Sequence, residues 1–387
     1  MNAIEKIKPH KTVKSEKAPA RIDIRLLLLI LALAAFGTVM ISSASTAYAA
    51  SRFGDAYYFV KRQAVFLVLG IITMLLTARI APSQLYRCAL PIFLLSLFFL
   101  LLVPILGSEA GGAKRWIALG PLTFQPSEFS KSALILLLSK YFSLPNVQDA
   151  MAKKGKRNIL FGIVYPILLF LSVCTLVLIE KHLSCIIILG CITVCMIFLA
   201  GANGRVLSTM CMGGGTAVTI FALSVEYTRR RITIWRNPAL YPRDGGWQTL
   251  QGLMAIGSGG VFGLGLGESK LKHLYVSEPQ NDFIFTIVCE ELGLVGATVI
   301  LVLFALLVLR GFSVGGALNN RFSSLLAMGL TAKLAIQVLL NIAVITNALP
   351  NTGISLPFFS YGGSSLVMLF AEMGILLSLS REAHIKR

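Results

Sequence analysis

Long apolar runs constrain this chain more than any other feature of its sequence. Ten of them are long enough to cross a bilayer core of roughly 30 Å as a helix that rises about 1.5 Å per residue. Because lipid offers backbone N–H and C=O groups no hydrogen-bonding partner, each run is predicted to be an α-helix. The runs lie near residues 24–46, 63–81, 88–106, 128–144, 158–179, 183–200, 206–225, 283–309, 322–347 and 360–380.

The composition excludes an ordinary cytosolic enzyme. Of the 387 residues, 56% are hydrophobic and only 13% are charged, whereas a soluble domain carries roughly 25% charged residues. The formal net charge is +18, but in a membrane protein basic residues mainly orient the helices, so we predict no nucleic-acid partner. The seven cysteines lack CxxC spacing and are predicted to be small buried residues rather than metal ligands.

The distribution of Lys and Arg predicts the orientation. An even number of spans places both termini on one side, and the basic residues of the N-terminal tail and of the short loops on its side make that side cytoplasmic. The sequence around Ala47 and Ala49 has the small residues of a signal cleavage site, but the apolar run is longer than a signal core, so we predict an uncleaved helix.

We therefore predict an all-α integral membrane protein with ten transmembrane helices and a large extracytoplasmic loop between helices 7 and 8. Residues 1–23 form a basic cytoplasmic tail, residues 24–381 the membrane domain, and residues 382–387 a cytoplasmic C-terminal tail. Two outer segments, 107–127 and 226–282, are too long to be simple connectors. The second is rich in Gly, Trp and apolar residues, which disfavours disorder and makes it the expected place of the chemistry.

Charged residues inside the spans each imply a partner, a polar cavity or a function, because a charge there costs a few kcal/mol on insertion scales. Glu128 and Lys131 lie three positions apart on one helix face, so they form either a simple ion pair or part of a cavity. Gln337 and Asn341 either line such a cavity or form hydrogen bonds between helices, and the sequence fits both interpretations equally well. A polar cavity open to the outside is expected, and the roles of the following residues stay open: Glu290, Glu291, Lys333, Glu372 and His182.

Asp282 ends the long outer loop and begins the eighth predicted span. At a helix N-terminus a carboxylate can simply cap the helix, since the helix dipole favours negative charge there. A partly desolvated carboxylate can instead have its pKa raised toward neutrality and act as a general base. Both interpretations fit the sequence.

Two further patterns in the second outer segment are ambiguous. The glycine-rich run 257–267 resembles a phosphate-binding loop in composition only, since it lacks the Lys and the spacing of such loops, and we interpret it as close-packed or hinged backbone. Arg229, Arg230 and Arg231, with Arg236 and Arg243, suit either a pyrophosphate or a solvated surface.

Several motifs, in order along nearly the whole chain from about residue 25 to 381, closely resemble the SEDS family (shape, elongation, division and sporulation). The segment Gly265–Lys270 is more similar to the division and sporulation members than to the rod-elongation members. The matching segments are Gln125–Lys131, Gly245–Gly260, Gly265–Lys270, Glu278–Phe285, Glu290–Gly293 and Leu349–Ser365.

The resemblance implies a peptidoglycan glycosyltransferase that polymerises lipid II at the outer face of the bacterial plasma membrane, at the septum during cell division. Asp282 matches the family's essential aspartate and would be the general base, with undecaprenyl pyrophosphate as leaving group. The resemblance also implies a class B penicillin-binding protein and other divisome membrane proteins as partners. The implied substrate-binding residues are Glu128, Lys131, Arg62, Arg115, Ser364 and Ser365.

The resemblance leaves alternatives open. A role in sporulation or elongation, a lipid II flippase and a scaffold for the transpeptidase are the competing functions. No cofactor is certain, although Mg²⁺ or Mn²⁺ could assist the leaving group in place of Lys131, Arg115 or the basic loop. Where many members have a Pro-Asp-Leu-Gly-Thr-like motif, this chain has Glu180–Cys185, so His182 or Glu180 would have to take over the role of that aspartate.

Overall fold

The computed structural model describes residues 22–110, 113–120, 122–153, 155–209, 212–213, 215, 224, 226–242 and 246–383, and within them the chain is mostly helical. A π-helical turn at Leu160–Val164 lies within the sixth helix. The helices are α1 (Ile24–Phe53), α2 (Tyr58–Thr77), α3 (Pro82–Leu106), α4 (Pro126–Ser143), α5 (Pro145–Ala152), α6 (Lys156–Ile179), α7 (Leu183–Leu199), α8 (Glu226–Arg236), α9 (Trp247–Ser258), α10 (Ile284–Gly316), α11 (Arg321–Ile345) and α12 (Gly363–Ser380).

Seven of these helices, α1, α2, α3, α6, α10, α11 and α12, are long and apolar enough to cross a membrane. Two further predicted spans correspond to α4 and to α7, which is apolar but only 17 residues long. The predicted span near 206–225 lies mostly outside the described residues. The structure thus confirms a multi-span helical protein, while the number ten stays a prediction.

The two ends of the membrane domain meet at one face of the helix bundle. The Asp23 backbone N–H donates to the Ser380 hydroxyl (3.2 Å), and the Arg310 guanidinium binds the Asp23 carboxylate (2.7 Å). The same carboxylate caps α1 by accepting from the Leu26 N–H at 3.2 Å. These contacts join the beginning of α1, the end of α12 and the C-terminal part of α10, so the long loops lie at the opposite face.

The first outer segment contains a small sheet that the all-α prediction missed. Strands β1 (Gly107–Ala110), β2 (Ala113–Leu119) and β3 (Leu122–Phe124) are antiparallel in that order. Gly120 makes the tight connection between β2 and β3 with a φ of 64°. In an aqueous environment such strands can satisfy their backbone hydrogen-bonding groups by pairing with one another. The sheet places β2 beside the turn before α7, to which Arg115 donates hydrogen bonds.

Between α9 and α10 the chain folds back against a kink at Gly293 (φ 65°, ψ −167°). The N–H groups of Leu264 and Gly265 donate to the carbonyls of Glu290 and Glu291, both at 3.0 Å. At Gly263 (φ 80°) a Cβ atom would overlap the backbone of α10 at the kink. The glycine-rich run is therefore close-packed against α10 at Gly259 and Gly263, whereas Gly257, Gly260 and Gly267 have open space around them.

The helices α11 and α12 are the most enclosed of the candidate spans. In their most apolar windows 61% and 67% of the residues are buried, against 39% or less in the other five. Polar side chains on these two helices are therefore shielded from lipid and can face one another or α4, which packs against both.

The cysteines only partly match the prediction of buried residues. Cys174 and Cys185 are buried, whereas Cys88 and Cys191 are exposed on the helices, and Cys211 lies outside the described residues. All six described cysteines are free thiols.

Candidate active site

A polar cavity of about 850 Å³ opens at the end of the bundle that carries the long loops. Its volume lies within the range of ligand pockets. The walls come from α2, β2, α4, α8, α9, the turn before α7, and the segments before α10 and α12. Its charged and amide-bearing lining residues are Arg62, Arg115, Gln125, Glu128, Lys131, Lys181, His182, Arg231, Gln248, Glu278, Asn281, Asp282, Gln337 and Asn351.

Asp282 lies on the cavity wall and is partly buried. Its backbone is held in place, because the Asn341 side-chain N–H donates to the carbonyls of Asp282 (2.8 Å) and Ile354 (2.7 Å). The Ser360 hydroxyl holds the neighbouring Asn281 carbonyl at 3.0 Å. Among the residues that the structure describes, none donates a hydrogen bond to the Asp282 carboxylate, so that group is available to a ligand.

The surroundings raise the pKa of Asp282 to about 6, mainly because burial disfavours the charged form and secondly because the Glu278 carboxylate repels it. Glu278 also lines the cavity, in a left-handed conformation (φ 50°), and accepts a hydrogen bond from Asn281 at 2.7 Å. A carboxylate with this pKa is largely ionised at neutral pH and still accepts a proton readily.

The alternative role of Asp282 as a helix cap is wrong. The N-cap position of α10 is Phe283, and no side chain caps this helix end. Gly353 instead approaches the carboxylate closely, since a Cβ atom built on it would lie 3.2 Å from Asp282 Oδ2. Gly353 also has a φ of 68°, which favours glycine.

Cationic groups from separate elements line the same cavity. Arg115 of β2 donates to the carbonyls of Lys181 (2.7 Å, from Nη2) and Glu180 (3.4 Å, from Nε), so the sheet is tied to the turn before α7. Arg231 of α8 donates to the Asn351 carbonyl at 3.3 Å and also lines the cavity. The sequence left two interpretations of the basic run open, a pyrophosphate site and a solvated surface. The structure shows that at least one residue of the run contributes to the cavity wall.

Glu128 and Lys131 form an ion pair of 2.7 Å on α4, and both line the cavity. Lys131 is 1% exposed and Glu128 is 8% exposed. Because a buried charge is costly without a partner, this pair neutralises itself while placing an ammonium group at the cavity floor. Both interpretations of the pair, structural and cavity-lining, therefore apply at once.

The turn before α7 adds no negative charge to the cavity. Burial, assisted by Arg115 and Lys131, lowers the pKa of His182 to about 4, so the ring is neutral at pH 7. Burial raises the pKa of Glu180 to about 8, so its carboxyl group is protonated at pH 7. His182 lines the cavity, and its Nδ1 lies 3.3 Å from the Ser127 hydroxyl, whereas Glu180 does not line it.

The remaining residues predicted to bind substrate lie near the first turns of α2 and α12. Arg62 lines the cavity, lies over the Tyr58 ring (4.4 Å to its centroid) and interacts with the Tyr361 side chain. Ser365 lines the cavity as well. Ser364 does not, and its hydroxyl is buried without a partner among the described residues.

The other intramembrane charges lie outside the main cavity. Glu290 accepts hydrogen bonds from the Ser269 hydroxyl (2.5 Å) and the Lys270 N–H (3.0 Å). Glu291 accepts from Ser43 of α1 (2.7 Å) and pairs with Lys272 at 3.1 Å. These two carboxylates therefore fasten the loop between α9 and α10 instead of lining the cavity.

Lys333 of α11 and Glu372 of α12 form a second buried ion pair, and the Ser132 hydroxyl also binds Glu372. Neither of the two charged residues lines the main cavity.

Sequence interpretation did not single out several residues that shape the cavity. Glu278 could have been found, because it lies four positions before Asp282 in the same motif. Gln248 of α9 accepts a hydrogen bond from the Asn351 side chain at 3.3 Å, and both line the cavity. They are about a hundred positions apart, and no local pattern indicates such a contact.

The described residues offer a metal ion few ligands of their own. Within that part of the chain no three His, Cys, Asp or Glu side chains come together as possible ligands. Asp282 and Glu278 both line the cavity, and Glu278 accepts a hydrogen bond from Asn281. Because Mg²⁺ is usually held by one or two carboxylates together with substrate phosphates, these two residues would hold such an ion beside a bound pyrophosphate.

Comparison with known proteins agrees with the geometry of the site. The model of the FtsW/RodA/SpoVE family, described as cell cycle protein, matches residues 24–385. A relative from Geobacter sulfurreducens, named probable peptidoglycan glycosyltransferase FtsW, is 41% identical over 93% of this chain and 95% of its own. Stage V sporulation protein E of Bacillus subtilis is 37% identical over 93% of this chain and 97% of its own.

A solved structure is also similar along the whole membrane domain. It is a chain of a peptidoglycan synthase complex, described as coordinating polymerization and crosslinking, with a TM-score of 0.78 and 28% identity. The match covers 94% of this chain and 99% of that one. The family model, the relatives and the shared fold together show that this chain belongs to the FtsW/RodA/SpoVE family, as the SEDS resemblance predicted.

Proposed function

We propose that this protein is a peptidoglycan glycosyltransferase that polymerises lipid II into glycan strands during cell division. One observation carries the proposal: an accessible carboxylate whose pKa is raised to about 6 shares a polar cavity with several cations. A base and an anion-binding wall are what a transfer from a lipid pyrophosphate requires. The names of the relatives support this assignment.

In the proposed reaction, Asp282 accepts the proton of the acceptor GlcNAc 4-hydroxyl as that oxygen attacks the anomeric carbon of the donor MurNAc. The new C1–O4 bond forms while the bond from C1 to the pyrophosphate oxygen breaks. The electron pair of the broken bond leaves with undecaprenyl pyrophosphate. Direct displacement inverts the α-linked carbon and gives a β linkage, and the proton on Asp282 is later lost to solvent.

The leaving group needs cations more than it needs an acid, since pyrophosphate is already a stable anion. Lys131, Arg115, Lys181 and Arg231 line the cavity and can offset its charge. The neutral state of His182 and Glu180 at pH 7 supports this assignment, because a carboxylate at that turn would repel the pyrophosphate.

The topology that accompanies this proposal has ten spans with the cavity on the outer face of the plasma membrane. The meeting of the N-terminal and C-terminal ends of the membrane domain at the opposite face supports cytoplasmic termini. The similarity to a chain of a peptidoglycan synthase complex supports a class B penicillin-binding protein as partner, with other divisome proteins at the septum.

The proposal can be tested with the purified protein, its transpeptidase partner and lipid II, comparing the wild type with Asp282→Asn. We expect polymerisation to fall by about 10²- to 10⁴-fold, the usual contribution of a general base. Asp55→Asn is the matched control, because Asp55 lies in the exposed turn between α1 and α2 and pairs with Lys61 outside the cavity. The control should polymerise at the wild-type rate.

Two results would contradict the proposal. Polymerisation by a folded Asp282→Asn protein at the wild-type rate would remove the base. Translocation of lipid II across vesicles without polymer formation would favour a flippase.

A further inference from the structure

The second buried ion pair, Lys333 with Glu372, has no role in the reaction described above. Both residues are 2% exposed and lie on the two most enclosed helices. Glu372 also binds the hydroxyl of Ser132, the residue next to Lys131 on α4. The second pair is thus attached to the helix that carries the first pair, Glu128 and Lys131.

The two pairs form one electrostatic cluster. Glu128 interacts with the ammonium groups of both Lys131 and Lys333, and Lys131 interacts with the carboxylates of both Glu128 and Glu372. The charges therefore alternate in the order Lys131, Glu128, Lys333, Glu372. Each buried charge has an opposite charge beside it, as burial requires.

Neither Lys333 nor Glu372 lines the main cavity. Lys333 and Glu128 line a small recess of about 20 Å³ that shares Glu128 and Gln337 with the cavity, and Glu372 lines neither space. Such a recess has room for about one water molecule and none for a sugar or a pyrophosphate. An effect of this pair on the reaction is therefore expected to act through the charges that it contacts, Lys131 and Glu128.

We propose that Lys333 and Glu372 are positioning residues that keep the Lys131 ammonium at the cavity floor. While Lys333 neutralises Glu372, Lys131 pairs with Glu128 and stays beside the cavity. If Lys333 loses its charge, Glu372 loses its ion-pair partner, and Lys131 is a cation that already interacts with it. Lys131 then turns toward Glu372 and withdraws from the ligand.

This inference rests on the proposed function in one respect, namely that Lys131 binds the pyrophosphate. The test therefore measures the affinity of the purified full-length protein for farnesyl diphosphate, a soluble isoprenyl pyrophosphate, beside kcat and KM for lipid II. The variants are Lys131→Met, Lys333→Met and the double variant Lys333→Met with Glu372→Gln. Lys140→Met is the matched control, since Lys140 lies on the same helix beside Tyr86, away from the cavity.

We expect Lys131→Met and Lys333→Met each to weaken farnesyl diphosphate binding and to lower kcat at least tenfold. The double variant removes both charges of the second pair, leaves no unpaired anion to attract Lys131, and should return to within threefold of the wild type. Lys140→Met should bind as the wild type does.

A charge exchange, Lys333→Glu with Glu372→Lys, separates positioning from a purely structural role and also serves if Lys333→Met does not fold. It keeps an ion pair between α11 and α12 but places a carboxylate beside Glu128 and an ammonium beside Lys131. Positioning predicts binding at least tenfold weaker in a folded protein, whereas a structural role predicts wild-type binding.

Three results would overturn the inference. Wild-type binding by Lys333→Met or by the charge-exchanged protein would show that the second pair does not position Lys131. A double variant as weak as Lys333→Met would show that Lys333 acts on its own. Wild-type binding by Lys131→Met would instead remove Lys131 from the pyrophosphate site, which is a failure of the proposed function itself.

Discussion

Two acidic regions at the beginning of α10 have opposite surroundings. Asp282 lies before the helix on a cavity wall, and no described residue donates a hydrogen bond to its carboxylate. Glu290 and Glu291, eight and nine positions further along, are 1% exposed and are bound by Ser269, Lys272 and Ser43. The two regions contain the same type of side chain at nearby positions in the chain. The hydrogen-bonding partners of each carboxylate therefore decide whether it is available to react with a ligand.

The energetic consequences differ in the same way. A carboxylate that is fully bound contributes to stability, and removing its partner leaves a buried unpaired charge. A carboxylate whose pKa is raised in the folded state opposes folding once it is ionised, so its contribution to stability falls as pH rises from about 4 through about 6. Replacing Asp282 by Asn should therefore leave the protein at least as stable at pH 7.

The largest expected effect comes from Lys272→Met in the bound region. Glu291 would keep only Ser43 and a backbone N–H as partners, and breaking one side of a buried ion pair costs about 3–5 kcal/mol. Chemical unfolding in detergent measures the loss. Asp282→Asn serves as the matched control. If the unfolding free energy of Lys272→Met stayed within about 1 kcal/mol of the wild-type value, the Glu290–Glu291 region would not hold the loop between α9 and α10 in place.

Ser269→Ala should have a smaller effect on stability. The Ser269 hydroxyl donates to Glu290 (2.5 Å) and accepts from the Lys272 N–H (3.1 Å). A hydrogen bond to a charged group contributes about 1.5–3 kcal/mol. Amide hydrogen exchange of residues 264–272 should become faster than in the wild type while lipid II polymerisation stays similar. Faster exchange spread evenly over the whole chain would not fit a local fastening role.

Gly353→Ala changes the surroundings of the Asp282 carboxylate. The substitution places a side chain at a φ of 68° and 3.2 Å from Asp282 Oδ2, so we expect a stability loss of about 1–2 kcal/mol. The displaced carboxylate should lower kcat about tenfold, or about 1.4 kcal/mol in activation free energy. Gly201→Ala, also at positive φ but with open space around it, is the control for backbone strain alone. Equal kcat values for the two variants would contradict close contact with Asp282.

The smallest effect is expected for Glu278→Gln. Removing the carboxylate that repels Asp282 should lower the pKa of Asp282 and move the acidic limb of the pH–rate profile to lower pH. The rate at pH 7 should change less than about twofold, since a group with a pKa near 6 is already mostly ionised there. A limb that moves to higher pH would contradict the assigned repulsion.

The membrane class and the position of most spans could be predicted because apolar length is a local property of the sequence. The SEDS resemblance pointed to Arg62, Arg115, Glu128, Lys131 and Asp282, and all five line the cavity. The sheet β1–β3 was not foreseen, because its short strands lie in a polar loop without regular alternation. The partners of Glu291 were also not foreseen, since Ser43 lies 248 positions away and only tertiary packing brings it near.

The pH dependence of lipid II polymerisation tests the central claim most directly, with kcat/KM measured from pH 4.5 to 8. We predict a plateau above neutrality and a tenfold fall per pH unit below about 6, with no such limb in the residual activity of Asp282→Asn. A rate that stays constant down to pH 4.5, or a limb that persists in Asp282→Asn, would contradict the role of Asp282 as the base.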